Sequence, residues 1–474
     1  MDRKPAVAKC CSALSEVPEE SYSSSQDSSS LSDGPGSCVE FGHVTDKTPA
    51  SRGLPPKPKY NVVTYPGNSP LIRAVALGAD RNASWRKDME DVSVLVENYG
   101  GKEGTGFFGV FDGFHGRTSA ELAASELPVL LLGQLVKVDP SFSLDGEQRD
   151  FLSRVESLSK KDGLDSADLE TMTKDQQMTQ VFTRAFSHMD RILGLGRRET
   201  SNIRWSGCTS VICVVDEETA PEEPGHKASQ GKLHIANCGN IHAVLYKHGR
   251  SFRVTKDHST ANAREHKRIL KEGGAISANR HHGLVEGLLR ATRGLGNYGN
   301  HRLRKVVIPA PHHVSLSLDA SVGMLVLGSG GLWDGVHPKD VAHVVKRCVR
   351  DWRRRHRRHR AKKEQRVRGL CGSKLQETAE HQDDLAKGTE NQTSRGGVDD
   401  QEQAASNTQP SGTSVKEDTG KSTEAELDYK LLAANICRKL MKTAAASGSR
   451  ENMSVIVILF QGMDDLGVQP EDGV

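Results

Sequence analysis

Hydrophobic positions fall into two periodicities along the chain. Short β-type runs bounded by glycine occur at Val92-Ser-Val-Leu-Val and Phe107-Phe-Gly-Val-Phe. Thr118 to Leu132 carries apolar residues at helical spacing, with Leu122, Leu127 and Leu131 among them. Thr179 to Leu193 repeats that period through Val181, Phe182, Ala185, Met189 and Ile192. Residues 138–178, between the two, are polar and read as a loop with partial helix. Cys208 to Val215 is a strand. Leu233 to Tyr246 reads as strand, Gly239-Asn240 turn and strand, in the manner of a hairpin. A helix over Asn262 to Leu270 stops at Gly273-Gly274. Val322 to Leu327 is a strand, and Pro338 opens a helix with Val341, Val344, Val345 and Cys348 inward. A helix at Leu427 to Met441 and a strand at Met453 to Phe460 complete the pattern.

This order of elements predicts an α+β fold, with sheet packed on sheet and helices outside. Periodicity is missing in two places. Residues 1–60 are rich in Ser and Pro and read as a disordered tail, because too little apolar area is present to offset ordering entropy. Residues 350–426 form a basic and then polar insertion, without an aromatic residue from Arg353 to Asp428. The globular part is therefore expected over 74–349 and 427–460, followed by a tail at 461–474. These two additions account for a hydrophobic content of only 35% and an aromatic content of 5% in 474 residues.

The net charge of +3 hides opposed blocks. Residues 346–368 are strongly basic and acidic-leaning sequence follows, so the sum excludes neither an acidic partner nor an import receptor for that segment. Bland solvation of the run is the competing reading. The start lacks the apolar core of a secretory signal. No run of 18 apolar residues suggests a membrane span. The nine Cys are scattered without a C-x-x-C pair, which points to reduced thiols rather than disulfides or zinc. The expectation is an intracellular monomer, cytoplasmic or nuclear.

Two acidic places could carry chemistry: Arg86-Lys-Asp-Met-Glu-Asp91 before one strand, and Asp112-Gly113-Phe114-His115 after another. Carboxylates beside an exposed carbonyl suit magnesium or manganese, which require oxygen ligands. Taken alone, Asp112-Gly113 reads first as a hairpin turn. Arg86 and Glu90, four apart, read first as a surface ion pair, and Asp334 as a cap for the helix near Pro338.

The order of segments nevertheless resembles one family. Arg86-x-x-x-Glu90-Asp91, Asp112-Gly113, Ser206-Gly207-Cys208-Thr209, Ala236-Asn-Cys-Gly239, Asp257-His258, Gly273-Gly274, Thr292-Arg-Gly-Leu-Gly296, Leu332-Trp-Asp334 and Glu451-Asn-Met-Ser-Val455 are similar to successive motifs of protein phosphatase 2C. That resemblance implies a sandwich of two antiparallel sheets flanked by helices. It also implies a pair of Mg²⁺ or Mn²⁺ ions acting on phosphoserine or phosphothreonine. Arg86 then matches the phosphate-binding arginine, and Glu90, Asp112 and Gly113 match metal-site positions. Four positions depart from the pattern. Phe114 stands where the family has His, Asn240 and Asn297 where it has Asp, and Gly330 where it has a metal-ligating Asp. Glu451, a weak candidate ligand, is one methylene longer than the family's Asp. Losing one of three anionic ligands and lengthening another weakens a cation site severely, leaving one ion or none. The sequence thus predicts a phosphatase-like domain of impaired or absent activity that binds a phosphoprotein or protein partner. The alternative is an active metal-dependent Ser/Thr phosphatase.

Overall fold

The computed structural model describes residues 60–158, 171–196, 202–218, 230–278, 283–358, 365 and 419–463. The expected tail over 1–60 lies almost wholly outside these residues, as do most of the expected insertion and all of 464–474.

Among the described residues, twelve strands form two antiparallel sheets. They are β1 (Asn61–Ser69), β2 (Ile72–Asp80), β3 (Val92–Glu97), β4 (Gly106–Phe114), β5 (Gly207–Glu218), β6 (Gln230–Cys238), β7 (His242–Lys247), β8 (Arg250–Arg253), β9 (Leu295–Gly296), β10 (His312–Leu318), β11 (Val322–Gly328) and β12 (Met453–Phe460). One sheet runs β1-β2-β12-β11-β7-β8 and the other β10-β6-β5-β4-β3, with β9 beside β5. Leu77, Phe108, Val110, Val211, Ile235, Leu325 and Ile456 fill the space between the sheets. Outside the second sheet lie the helices Thr118–Leu135 and Lys174–Leu195, packed on Phe107, Phe111, Ile212 and Ala236. Outside the first lie a helix at 340–358 and the helix Thr419–Ala446, whose Ile436, Cys437 and Leu440 meet Val326, Val455 and Val457. Every residue of β12 is buried, because sheet covers one of its faces and helix the other. Thr173 starts its helix with a reciprocal cap to Gln176.

The partial helix expected within 138–178 is present, at Gly146–Leu158. Three expectations need correction. The ordered chain begins ahead of residue 74, with β1. Pro66 and Gly67 interrupt its pattern, and both are tolerated because β1 is an edge strand with an irregular register beyond Pro66. The β6–β7 segment is not a hairpin: β6 pairs with β5 and β10, β7 with β11 and β8, so Gly239 and Asn240 carry the chain from one sheet to the other. Asp112-Gly113 is not a turn either, since both residues lie within β4 opposite Thr209 and Cys208.

Candidate functional site

The end of the sandwich where β4, β7 and β11 terminate holds a cavity of about 360 Å³. Its wall includes Arg86, Glu90, Asp112, Gly113, Phe114, Asn240, Gly330 and Glu451, so the fold brings together eight of the nine residues singled out from sequence. Asn297 is the exception. It is buried beyond the cavity with φ 58°, and its backbone N–H donates to Ser206 O at 2.8 Å.

Close backbone approach places the first group. A Cβ on Gly113 would stand 2.4 Å from Glu90 O, so only glycine lets β4 run against that segment. Glu90 is then fixed at both ends: its N–H donates to Asn452 Oδ1 at 2.9 Å, and Oε1 accepts from Gly116 N–H at 2.7 Å. Asn452 Nδ2 donates to Arg81 O and Asp88 O, while Asn82 Nδ2 donates to Ser449 O and Glu451 O. Two asparagines thereby stitch the segment 81–90 to the segment 449–452.

Charge pairing follows from that stitching. Arg86 does not pair with Glu90; its guanidinium binds the Glu451 carboxylate, and its Nε donates to Arg450 O at 3.3 Å. Across the cavity Arg290 Nη1 meets Asp334 Oδ2 at 2.5 Å. Asp334 therefore does not cap the helix at 340–358; it is the C-cap of the four-residue helix Gly330–Trp333. Trp333 itself is structural, since its ring N–H donates to Gly328 O and His242 O.

Asp112 Oδ2 accepts the Gly330 N–H at 2.7 Å. A Cβ on Gly330 would lie 3.0 Å from that oxygen and 3.5 Å from Asn240 Nδ2. Position 330 thus faces Asp112 but presents a backbone donor rather than a carboxylate. Burial pushes Asp112 up to about 6, with the charges of Asp334 and Glu90 adding to the rise against the Gly330 hydrogen bond. Asp91, which is 3% exposed, is raised well above the carboxylate range by burial and then by the Asp112 charge. Two neighbouring buried carboxylates cannot both ionise cheaply, which favours the neutral form of Asp91. Phe114 packs toward Gly207 and Gly294, with its ring edge-on to His115. His115 has φ 58° and is exposed. His115, one residue after the position where the family has His, stands on the cavity wall beside Phe114.

Sequence reading passed over Arg290, which lies in an ordinary Leu-Leu-Arg-Ala stretch with no motif to mark it. Asp91 and Asn452 were visible inside quoted motifs, but their roles depend on packing.

Sandwich, helix pairs and acidic cavity together define a protein phosphatase 2C domain. The family model described as "Protein phosphatase 2C" matches residues 75–371, and the chain belongs to that family. It is 38% identical over 304 residues to "Protein phosphatase 2C-like domain-containing protein 1" of Homo sapiens, covering 58% of this chain and 48% of that protein. The protein of the same name from Mus musculus is 35% identical over 312 residues, 60% of this chain and 50% of that one. "Protein phosphatase 2C homolog 1" of Saccharomyces cerevisiae is 25% identical over 276 residues, 57% and 82% of the respective chains. The chain spans about half the length of the two mammalian relatives.

The family depends on magnesium or manganese, and the donors here do not fit an ion pair. An N–H points at Asp112 where an anionic ligand is needed, and guanidinium groups already hold Glu451 and Asp334. No group of three or more His, Cys, Asp or Glu arranged for a metal exists among the described residues.

Proposed function

We propose that this is a protein phosphatase 2C domain with impaired or absent hydrolysis, which acts by binding a phosphoprotein or protein partner. The Gly330 N–H on Asp112 carries the reading, because the central carboxylate there meets a hydrogen-bond donor instead of a shared cation. The arrangement retains what binding requires: an open cavity of about 360 Å³ with two arginines on its wall. An arginine can receive a phosphate as a two-pronged fork once its carboxylate partner yields. The test is turnover of a phosphopeptide by the purified chain in manganese, beside Asp112→Ala. We expect a rate indistinguishable from that of the Asp112→Ala protein, together with retained phosphopeptide binding. Manganese-dependent turnover abolished by Asp112→Ala would establish the alternative, an active Ser/Thr phosphatase. Glu90, Asp112 and Gly113 standing together on the cavity wall are what favour that alternative.

A second reading concerns the basic segment 346–368, of which only 346–358 and 365 are described. Along the helix at 340–358, His343, Arg347, Arg350 and Arg354 are exposed at helical spacing and line a cavity of about 550 Å³ together with Asp351. This supports docking of an acidic partner or an import receptor, and with it an intracellular, cytoplasmic or nuclear site of action. Among the described residues no helix is long and apolar enough to cross a membrane. Deleting 350–370 is expected to change the distribution of a tagged chain in cells. An unchanged distribution rules the segment out as the sole import signal.

A further inference from the structure

Arg290 belongs to none of the family motifs, yet its side chain ends on the cavity's acidic wall. Its backbone is anchored on both sides. Leu289 and Ala291 are buried in a cluster with Ile269, Val285, Leu303 and Val306. Bridges join Leu289 to Val285 and Ala291 to Ser259. The side chain between them crosses to Asp334, at 2.5 Å from Nη1 to Oδ2. That carboxylate sits one helical turn after Gly330, whose N–H is already bound to Asp112.

We propose that Arg290 is a built-in counter-cation: its guanidinium neutralises Asp334 and keeps a divalent ion from that wall of the cavity. The inference rests on the reading that this domain does not hold the family's pair of ions, and names the residue that enforces it. Three features support it. A guanidinium keeps its charge at any physiological pH, so it does not vacate the carboxylate by titration. Its charge-assisted hydrogen bond is directional and uses the oxygen that an ion would need. The opposite wall repeats the arrangement with Arg86 on Glu451, so two of the wall's carboxylates, Asp334 and Glu451, each have their own cation. A divalent ion brought to Asp334 meets a positive charge already in place there. Arg290 is a positioning residue in this account, since it acts through Asp334 and not on a substrate.

Thermal unfolding with manganese alone tests the proposal, without any substrate. For the unmodified full chain, about 5 mM MnCl₂ is expected to move the midpoint by less than about 1 °C, the shift of an ion that finds no site. For Arg290→Ala the same manganese is expected to raise it by about 3–5 °C, the shift for binding at roughly ten times the dissociation constant in a domain of this size. Arg290→Lys, which keeps the charge, is expected to behave like the unmodified chain. Should the alanine variant not fold, Arg290→Gln keeps much of the stem and gives the same reading. A shift of several degrees in the unmodified chain overturns the proposal. So does a folded Arg290→Ala or Arg290→Gln protein that gains no response. Turnover lost in Asp112→Ala would instead sink the reading of impaired hydrolysis, so the two failures are told apart by separate measurements.

Discussion

Replacing Glu265 by Ala is expected to destabilise the domain by about 3–5 kcal/mol, the usual cost of removing one partner from a buried ion cluster. Glu265 is only 4% exposed in the helix Ala263–Lys271. Its Oε2 accepts from Arg268 Nη2 at 2.9 Å, Thr292 Oγ1 at 2.9 Å and Arg293 Nε at 3.1 Å, and Oε1 from Arg293 Nη2 at 2.5 Å. Burial alone would raise its pKa, but hydrogen bonds from Arg293 and Arg268 outweigh that and hold it at about 2. Without Glu265 the arginines keep only carbonyl partners, at Val306, Thr292 and Ala310. Urea unfolding of the variant measures the loss, and a loss under about 1 kcal/mol would mean that the cluster is not worth its desolvation. The same cluster fastens the segment on which Arg290 stands, so the variant is also expected to loosen the Arg290–Asp334 pair.

Acidification from pH 7 to pH 5 is expected to lower stability by several kcal/mol through three histidines. Burial is the first cause in each case. His258 falls to about 3, with the Arg293 charge assisting; His313 falls to about 3 beside His234 and His312; His312 falls to about 4 beside Lys256 and Arg293. His258 Nδ1 accepts the Gly239 N–H at 3.2 Å, and His313 stacks on Phe182 at 4.5 Å. The folded protein keeps these rings neutral, whereas the unfolded chain protonates them near pH 6.5. Their contribution is therefore complete above pH 6.5 and is lost as pH falls toward the folded values. At pH 5 His258 and His313 each cost about 2 kcal/mol, and half-buried His312 costs less because solvent screens it, so the three together cost under about 6 kcal/mol, a large share of a typical domain's stability. Urea midpoints at pH 7.5, 6 and 5 should fall in step, and His313→Gln should flatten the slope. A constant midpoint across that range contradicts the assignment.

Much of this was legible because periodicity reports local structure directly. The runs at Val92, Phe107, Cys208 and Val322 became strands close to their expected limits. Partnership was less legible. Nothing local in Gly239-Asn240 says that the strands it joins lie in different sheets, since a tight turn and a crossing use the same small residues. For the site, motif spacing gathered Arg86, Glu90, Asp112, Asn240, Gly330 and Glu451 on one cavity. It did not show that Arg86 would choose Glu451, 365 residues away, over Glu90, or that Arg290 would reach Asp334. Those choices depend on where Asn82 and Asn452 hold two distant segments. Asn297 shows the opposite limit: its motif is present, but the turn carries it away from the cavity.

The position of β12 bears on how the molecule is made. This strand lies between β2 and β11, yet it is synthesised after every other strand described, and residues 366–418 separate it from the helix that precedes them. Until it is inserted, the first sheet exists as two halves with exposed edges, and Glu451 and Asn452 cannot meet Arg86 and Glu90. Sheets closed by such distant pairings form slowly, because loop closure precedes any compensating contact. The cavity is thus among the last features to assemble on a growing chain. An incomplete chain displays two strand edges of the kind that chaperones cover and that aggregates recruit.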